Sequence, residues 1–189
     1  MRVRNLIASI ACTVLLVGAV AASGPAGAAA PAAKTPATGE LDTSFSASAF
    51  TALQKAGLSL YSYENVRVGL GDDGGIGARW PVNAVDGFNV YADPEAGALV
   101  WINGAAGKRL DMNSLAFVTK DGKTGVLKAK VYANGDSLGT LTLFDVTGSK
   151  MKMTLHKGVD QTLDTALATK FFAPGMALGN LFAASEPVT

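Results

Sequence analysis

The chain has 189 residues, 49% of them hydrophobic, with 16 Lys and Arg against 15 Asp and Glu, one histidine and one cysteine. Near-neutrality excludes the basic footprint that nucleic-acid binding needs and the polybasic stretch that holds a protein on an anionic membrane surface. A single histidine excludes a multi-histidine zinc site, and one cysteine excludes the usual thiolate ones.

The N-terminus has the layout of a secretory signal peptide. Arg2 and Arg4 precede the apolar run Leu6–Val20, and Ala26-Gly27-Ala28 offers small residues for cleavage. That run falls short of the roughly 20 residues that a membrane span needs. Residues 1–28 are therefore expected to be removed, and Cys12 with them. The mature chain would then carry no disulfide and no thiolate, a pattern that suits bacterial export. Loss of Arg2 and Arg4 takes the 16 basic residues to 14, against 15 acidic ones. Residues 29–42, rich in Ala, Pro and Thr, read as a flexible tether. Residues 43–189 read as one domain, long enough to bury its own core.

Ser46 stands as an N-cap before Phe50, Leu53 and Ala56 at helical spacing, and Gly57 stops the helix. Leu58 to about Val68 alternates as one strand, with Ser59, Tyr61 and Tyr63 on one side. The glycine-rich loop holding Asp72-Asp73 lacks the EF-hand spacing and its final glutamate, so it reads as an acidic loop and not as a calcium site. Strands follow at Gly77–Val82, Phe88–Ala92, Ala98–Ile102, Leu110–Thr119, Gly125–Ala133, Ser137–Asp145 and Ser149–Leu155. Pro81 places the first of these at an edge or a bulge. In Leu110–Val118 the alternation slips near Asn113-Ser114, which predicts a β-bulge. Asn103-Gly104, Asp121-Gly122 and Asn134-Gly135 predict two-residue type I′ turns. Lys128, Lys130, Lys150 and Lys152 fall on outward faces. After Gly158 a second helix runs to about Thr169, and Gly179–Ala184 reads as a last strand. The fold class is mainly β: an antiparallel β-sandwich or partly closed barrel with two short α-helices, one near each end of the domain. The strand–helix–strand units at the two ends suggest a pseudo-repeat.

The order of motifs resembles a known group. Ala56-Gly57 ends a helix, and Trp80-Pro81-Val82 and the run Gly97–Gly104 follow. Then come Leu110–Phe117, Leu143-Phe144-Asp145-Val146 and the closing run Phe172–Gly179. The sequence resembles secreted actinobacterial β-sandwich domains related to the haem-binding HtaA-type domain. The resemblance implies an exported antiparallel sandwich. It also implies a haem held by a tyrosine in an N-terminal aromatic-Ser-Tyr segment, a histidine nearby and a Gly-His-Gly-Gly-like stretch. Here the first helix carries Phe50, and the matching stretch is Gly104-Ala105-Ala106-Gly107, without histidine.

Three residues are candidate ligand contacts: Tyr61, Tyr63 and His156. Tyr61 and Tyr63 form either an aromatic ligand platform, with haem as its sharpest form, or a half-buried pair of good strand formers. His156 follows the inward Leu155 and should face outward, either as a solvated strand-end residue or as a ligand or base. There is no Gly-x-Ser-x-Gly elbow, and a serine triad would have to use His156. No catalytic and no metal residues are expected, and no cofactor, haem being disfavoured. The expected function is a secreted, non-enzymatic binding or structural module of the cell envelope or medium. The alternatives are a haem or small-ligand carrier using a sheet-face tyrosine and, third, a carbohydrate-active enzyme. The residues do not identify a partner: a cell-envelope component or a small ligand is compatible with them, and no nucleic acid and, after signal cleavage, no membrane is expected. N-terminal sequencing of the exported form should begin directly after Ala28 or Ala29. An intact Met1 in a membrane fraction would overturn the signal assignment.

Overall fold

The structure is a computed structural model, and it describes residues 33–71 and 74–188. The expected signal peptide and the Asp72-Asp73 loop lie outside the described residues. The elements in chain order are β1 (Thr35–Phe45), α1 (Ala47–Lys55), β2 (Leu58–Glu64), β3 (Arg67–Leu70), β4 (Ile76–Asp86), β5 (Asn89–Ala92) and β6 (Gly97–Asn103). They continue with β7 (Lys108–Thr119), β8 (Gly125–Ala133), β9 (Asp136–Thr147), β10 (Lys152–Leu155), α2 (Val159–Leu167) and β11 (Ala177–Pro187). Among the described residues no helix is long and apolar enough to cross a membrane.

All the strands belong to one antiparallel sheet, in the order β2-β6-β7-β5-β4-β1-β11-β10-β9-β8, with β3 on β4. β8 also pairs back onto β7. The path from β7 through β5, β4, β1, β11, β10, β9 and β8 thus returns to its start. The joint between β5 and β7 is only two residues long, Val90↔Phe117 and Tyr91↔Ala116. The sheet is accordingly folded on itself and partly closed. Curling of this kind buries one face and removes most exposed strand edges, which would otherwise template pairing with other chains.

β7 makes the closure work. Its first half, Lys108 to Asn113, pairs with β6, and Ala116 and Phe117 pair with β5. β8 runs along its other side, with the register shifting between Asn113 and Ala116. Ser114 has φ +50° at that point. This is the bulge that the slipped alternation predicts. An extra residue bends the strand and raises its local twist, so one strand can serve two neighbours that lie in different directions.

The core is read directly from strand alternation. Leu127, Ala129 and Val131 on β8 are fully buried, and so are Met153 and Leu155 on β10. At its centre Trp101 stacks on Phe172, with ring centroids 5.2 Å apart, and Phe45 meets Trp101 edge-on at 6.0 Å. Aromatic pairs in these geometries add about 0.5–1.5 kcal/mol beyond their area burial. Both helices lie on this core, α1 through Ala49 and Leu53 and α2 through Leu163 and Leu167. Ser46 caps α1 by accepting from the Ala49 N–H at 3.3 Å, as its position predicts.

Several expectations are corrected. Residues 35–42 belong to β1 and not to a tether. β1 lies between β4 and β11, and its Ala37 and Leu41 are buried. Ala, Pro and Thr composition suggested a solvated linker, whereas pairing on both sides satisfies this backbone. The single strand expected over Leu58–Val68 is two, broken at Glu64 with φ +61°. The N–H groups of Asn65 and Val66 both donate to the Ala96 carbonyl, which turns the chain out of β2. β4 extends well past Val82. Pro81 stands opposite Glu40 beside breaks of register towards both neighbours, which is where a residue without an N–H is tolerated. β10 starts at Lys152, because Met151 closes a turn onto the Gly148 carbonyl.

Of the three expected type I′ turns, only Asn134-Gly135 has both residues at positive φ, +53° and +94°. Asn103 instead ends β6, and its side chain accepts from the Ala106 N–H at 3.2 Å. Asp121 accepts from the N–H groups of Lys123 and Thr124 at 2.8 and 2.7 Å, building a longer turn. These donors hold the Asp121 carboxyl below its ordinary value. The two end units are not topological repeats, since β10 pairs with β11 whereas β1 and β2 do not pair.

β11 passes so close to β1 that a methyl group built on Gly179 would overlap the Ser44 carbonyl oxygen. Gly179→Ala should therefore lower the unfolding free energy in urea by at least about 2 kcal/mol, the upper part of the overpacking range. Gly104→Ala meets no atom within 4 Å and should change it by less than about 0.5 kcal/mol.

Candidate functional site

β6 is buried on both faces, and this determines what stands outside it. Leu99 and Trp101 point into the core cluster. Ala98 and Val100 are just as buried, at 0% and 3% exposure, but do not belong to that cluster. A near-continuous apolar run is the sequence form of such a strand. What covers its outer side follows from register. Tyr61 lies opposite Val100 and Tyr63 opposite Ala98 on β2. Asp111 and Asn113 of β7 lie opposite the same two residues on the other side. Tyr132 of β8 continues the first row and Lys130 the second.

The two tyrosines share a face, as the alternation predicts, and they are exposed rather than half-buried: 56% for Tyr61 and 40% for Tyr63. Among the described residues β2 has β6 as its only ladder partner, so the tyrosines stand on an edge strand. Arg109 joins them. Its Nε donates to Asp111 Oδ1 at 2.6 Å, and its guanidinium lies 5.7 Å from the Tyr63 ring centre. A planar cation at that distance from an aromatic face is attracted by the ring quadrupole, and it holds the ring in place. Loss of water around the phenol, then the Asp111 charge, pushes the Tyr63 phenol above its ordinary value, and the Arg109 guanidinium works against them. The face can therefore offer an aromatic surface, a neutral phenol donor and a charged guanidinium edge. Arg109 and Asp111 were not among the sequence candidates. The signal was present in the Arg109-Leu110-Asp111 alternation, which turns both charges outward. It becomes a site only when β7 is placed beside β6 and β2.

His156 is not brought to the tyrosines. It stands just past β10, where its N–H donates to the Leu143 carbonyl. Its Nδ1 lies 2.8 Å from Asp145 Oδ1, with both side chains about two-fifths exposed. It faces outward as expected, and its partner is the aspartate that β9 carries opposite Thr154. Among the described residues, no hydroxyl or further carboxylate is hydrogen-bonded to this pair, and no group of three or more His, Cys, Asp or Glu could hold a metal ion.

Among the hollows on the surface, two differ in how their cations are matched. One, of ≈ 330 Å³, runs between β3 and β1 and is lined by Thr43, Val68, Leu70 and Arg79. Arg79 is already engaged there, with Nε at 3.1 Å from both Asp42 oxygens and Nη1 at 3.3 Å from Glu40. Burial raises the Asp42 carboxyl, and Arg79 works in the other direction. The other hollow, of ≈ 460 Å³, lies at the β7 bulge, with Tyr91, Lys34, Lys128 and Lys130 among its lining residues.

The Tyr63 phenol follows the linkage rule for a raised acid. Its neutral form is favoured in the folded state, so its contribution to stability is present below the unfolded value near pH 10 and is lost as pH rises through the folded one. Asp111→Asn should bring the Tyr63 phenol down, and Arg109→Ala should send it higher. Ring-labelled NMR titration, with Tyr63→Phe assigning the resonance, reads both. Shifts of the reverse signs would show that the Arg109–Asp111 pair does not sit beside this ring.

No protein-family model matches the chain. No curated protein matches its sequence. Among solved structures, the crystal structure of the C-terminal domain of HtaA from Corynebacterium glutamicum superposes with a TM-score of 0.56 at 16% identity, covering 81% of this chain and 99% of that one. A domain-swapped dimer variant of the same domain gives a TM-score of 0.42 at 15% identity, with 76% and 92% covered. The first match spans virtually the whole of that domain, so this chain has the fold of the HtaA C-terminal domain at a distant level of sequence likeness.

Proposed function

We propose that the protein is a secreted, non-enzymatic binding module of the bacterial cell envelope or medium, and that it binds through the outer face of β2, β6 and β7. The observation that carries this reading is the exposure of Tyr61 and Tyr63 on an edge strand, with Arg109 laid against the Tyr63 ring. Exposed aromatic residues next to a guanidinium are the composition that binding surfaces concentrate, because large rigid rings make contact at low entropic cost. The resemblance to secreted β-sandwich domains supports export, and the fold likeness to the HtaA C-terminal domain agrees with that resemblance. The N-terminal layout of Arg2, Arg4 and Leu6–Val20 supports export.

The resemblance to haem-binding domains supplies a second reading, a carrier that uses Tyr61 or Tyr63. The residues present do not fit it. The first helix carries Phe50 and no tyrosine, and the stretch Gly104-Ala105-Ala106-Gly107 has no histidine. The one histidine among the described residues is tied to Asp145 and lies away from β2 in the sheet order.

Titration of the purified mature protein with haemin should give no Soret shift beyond that of a non-binding control. A stoichiometric band that disappears in Tyr63→Phe would establish the carrier reading instead. For the first reading, the mature protein should sediment with isolated actinobacterial cell envelopes, and Tyr61→Ser/Tyr63→Ser should reduce the bound fraction at least fivefold without changing the thermal midpoint. Equal sedimentation of the two would remove the tyrosine face as the binding surface.

A further inference from the structure

The hollow at the β7 bulge lies outside the tyrosine face and has a chemistry of its own. It forms where β7 leaves β6 and takes up β5, and the gap between those two neighbours exposes the outer side of Ala116. β5 contributes Tyr91, β8 contributes Lys128 and Lys130, and Lys34 comes from the segment before β1. The Lys34 ammonium sits 3.7 Å from the Tyr91 ring centre. Register places these groups side by side: Tyr91 is opposite Ala116, Ala116 is opposite Lys128, and Lys130 is opposite Thr140. Among the described residues, none of the three lysines is within ion-pair distance of a carboxylate, and no acidic residue lines the hollow. Asp86, whose charge adds to burial in raising the Tyr91 phenol, lies outside the lining.

Three cations round one hollow, with no acidic residue in its lining, set up a positive potential that attracts a counter-charge. Their floor is apolar, with Ala84, Ala92 and Val118 among its residues. A ligand that satisfies both parts has an anionic head for the ammonium groups and an aromatic or aliphatic body for the floor and the Tyr91 ring. We propose that this hollow, of ≈ 460 Å³, binds a small organic anion of that kind, a carboxylate or phosphate on an apolar body. The volume suits a body of one or two rings, since ligand pockets run from about 300 to about 1,000 Å³.

The test uses amide-resolved NMR on the mature protein with 1-naphthoate, 1-naphthyl phosphate, inorganic phosphate and 1-naphthol. Both naphthyl anions should shift the amides of Tyr91, Ala116 and Lys128 saturably. Inorganic phosphate and 1-naphthol should each bind at least tenfold more weakly, because each offers half of the chemistry. Lys128→Gln/Lys130→Gln should weaken the anions at least fivefold. Both side chains project outward, so the thermal midpoint should be unchanged. Tyr61→Phe/Tyr63→Phe should leave this binding as it is, which separates it from the tyrosine face. The proposal is overturned if the shifts map elsewhere, if the lysine variant binds equally well, or if inorganic phosphate matches the naphthyl anions. It is also overturned if only phosphatidylglycerol vesicles perturb these amides, since the lysines would then be reading a membrane surface.

Discussion

The change of partner along β7 is the constraint on which the rest of the structure depends. A strand can hydrogen-bond one neighbour on each side, and β7 has three. One extra residue at Asn113-Ser114 resolves this by bending the strand, so that β6 occupies the first half of one side and β5 the second. Without that bend β5 could not reach β7, and the path from β4 back to β8 would stay open. The bulge also sets the surface. On one side of it β6 and β2 extend outward and carry the tyrosines; on the other a hollow remains that no strand fills.

Burial of β6 on both faces is the second consequence. Trp101 fills the inside against Phe45 and Phe172, and Asn103 ties the strand's end to α2, donating to the Leu167 carbonyl at 2.8 Å. On the outside, Ala98 and Val100 are small enough for the neighbouring side chains to close over them. The outer face is therefore a second, thinner layer of packing whose outermost members are Tyr61, Tyr63 and Arg109. Tyrosine side chains lose little freedom when something binds to them, because they have few rotatable bonds.

The two outward clusters differ in how their charges are arranged. On the tyrosine face the Arg109 cation is already matched by Asp111, and its attraction for Tyr63 serves position more than charge. At the bulge no carboxylate among the described residues pairs with the cations, and an aromatic ring stands beside one of them. The hollow beside Arg79 resembles the first case, since Asp42 and Glu40 satisfy that cation. Exposed pairs of that sort add little stability. What distinguishes these places is whether charge is left over for a partner.

Much of the architecture was legible in the residues, because its causes are local. Period-2 alternation marked Gly125–Ala133 to the residue, and the slip in phase at Asn113-Ser114 marked the bulge, since side-chain direction follows from the pleat alone. Serine at a helix start and Asn-Gly at one hairpin acted through their own backbone preferences. Local signals failed where a distant partner decided. Residues 35–42 looked like a linker until β4 and β11 paired with them, and Leu58–Val68 looked continuous until the Ala96 carbonyl drew two N–H groups out of line. The same division holds for the site. The sequence by itself determined that Tyr61 and Tyr63 share one face and that Lys128 and Lys130 point outward, because each strand sets its own faces. Only the tertiary structure decided that Arg109 lies against Tyr63 and that Lys34 lies over Tyr91, because cross-strand neighbours depend on the order in which strands pair, and alternation along one strand carries no information about that order.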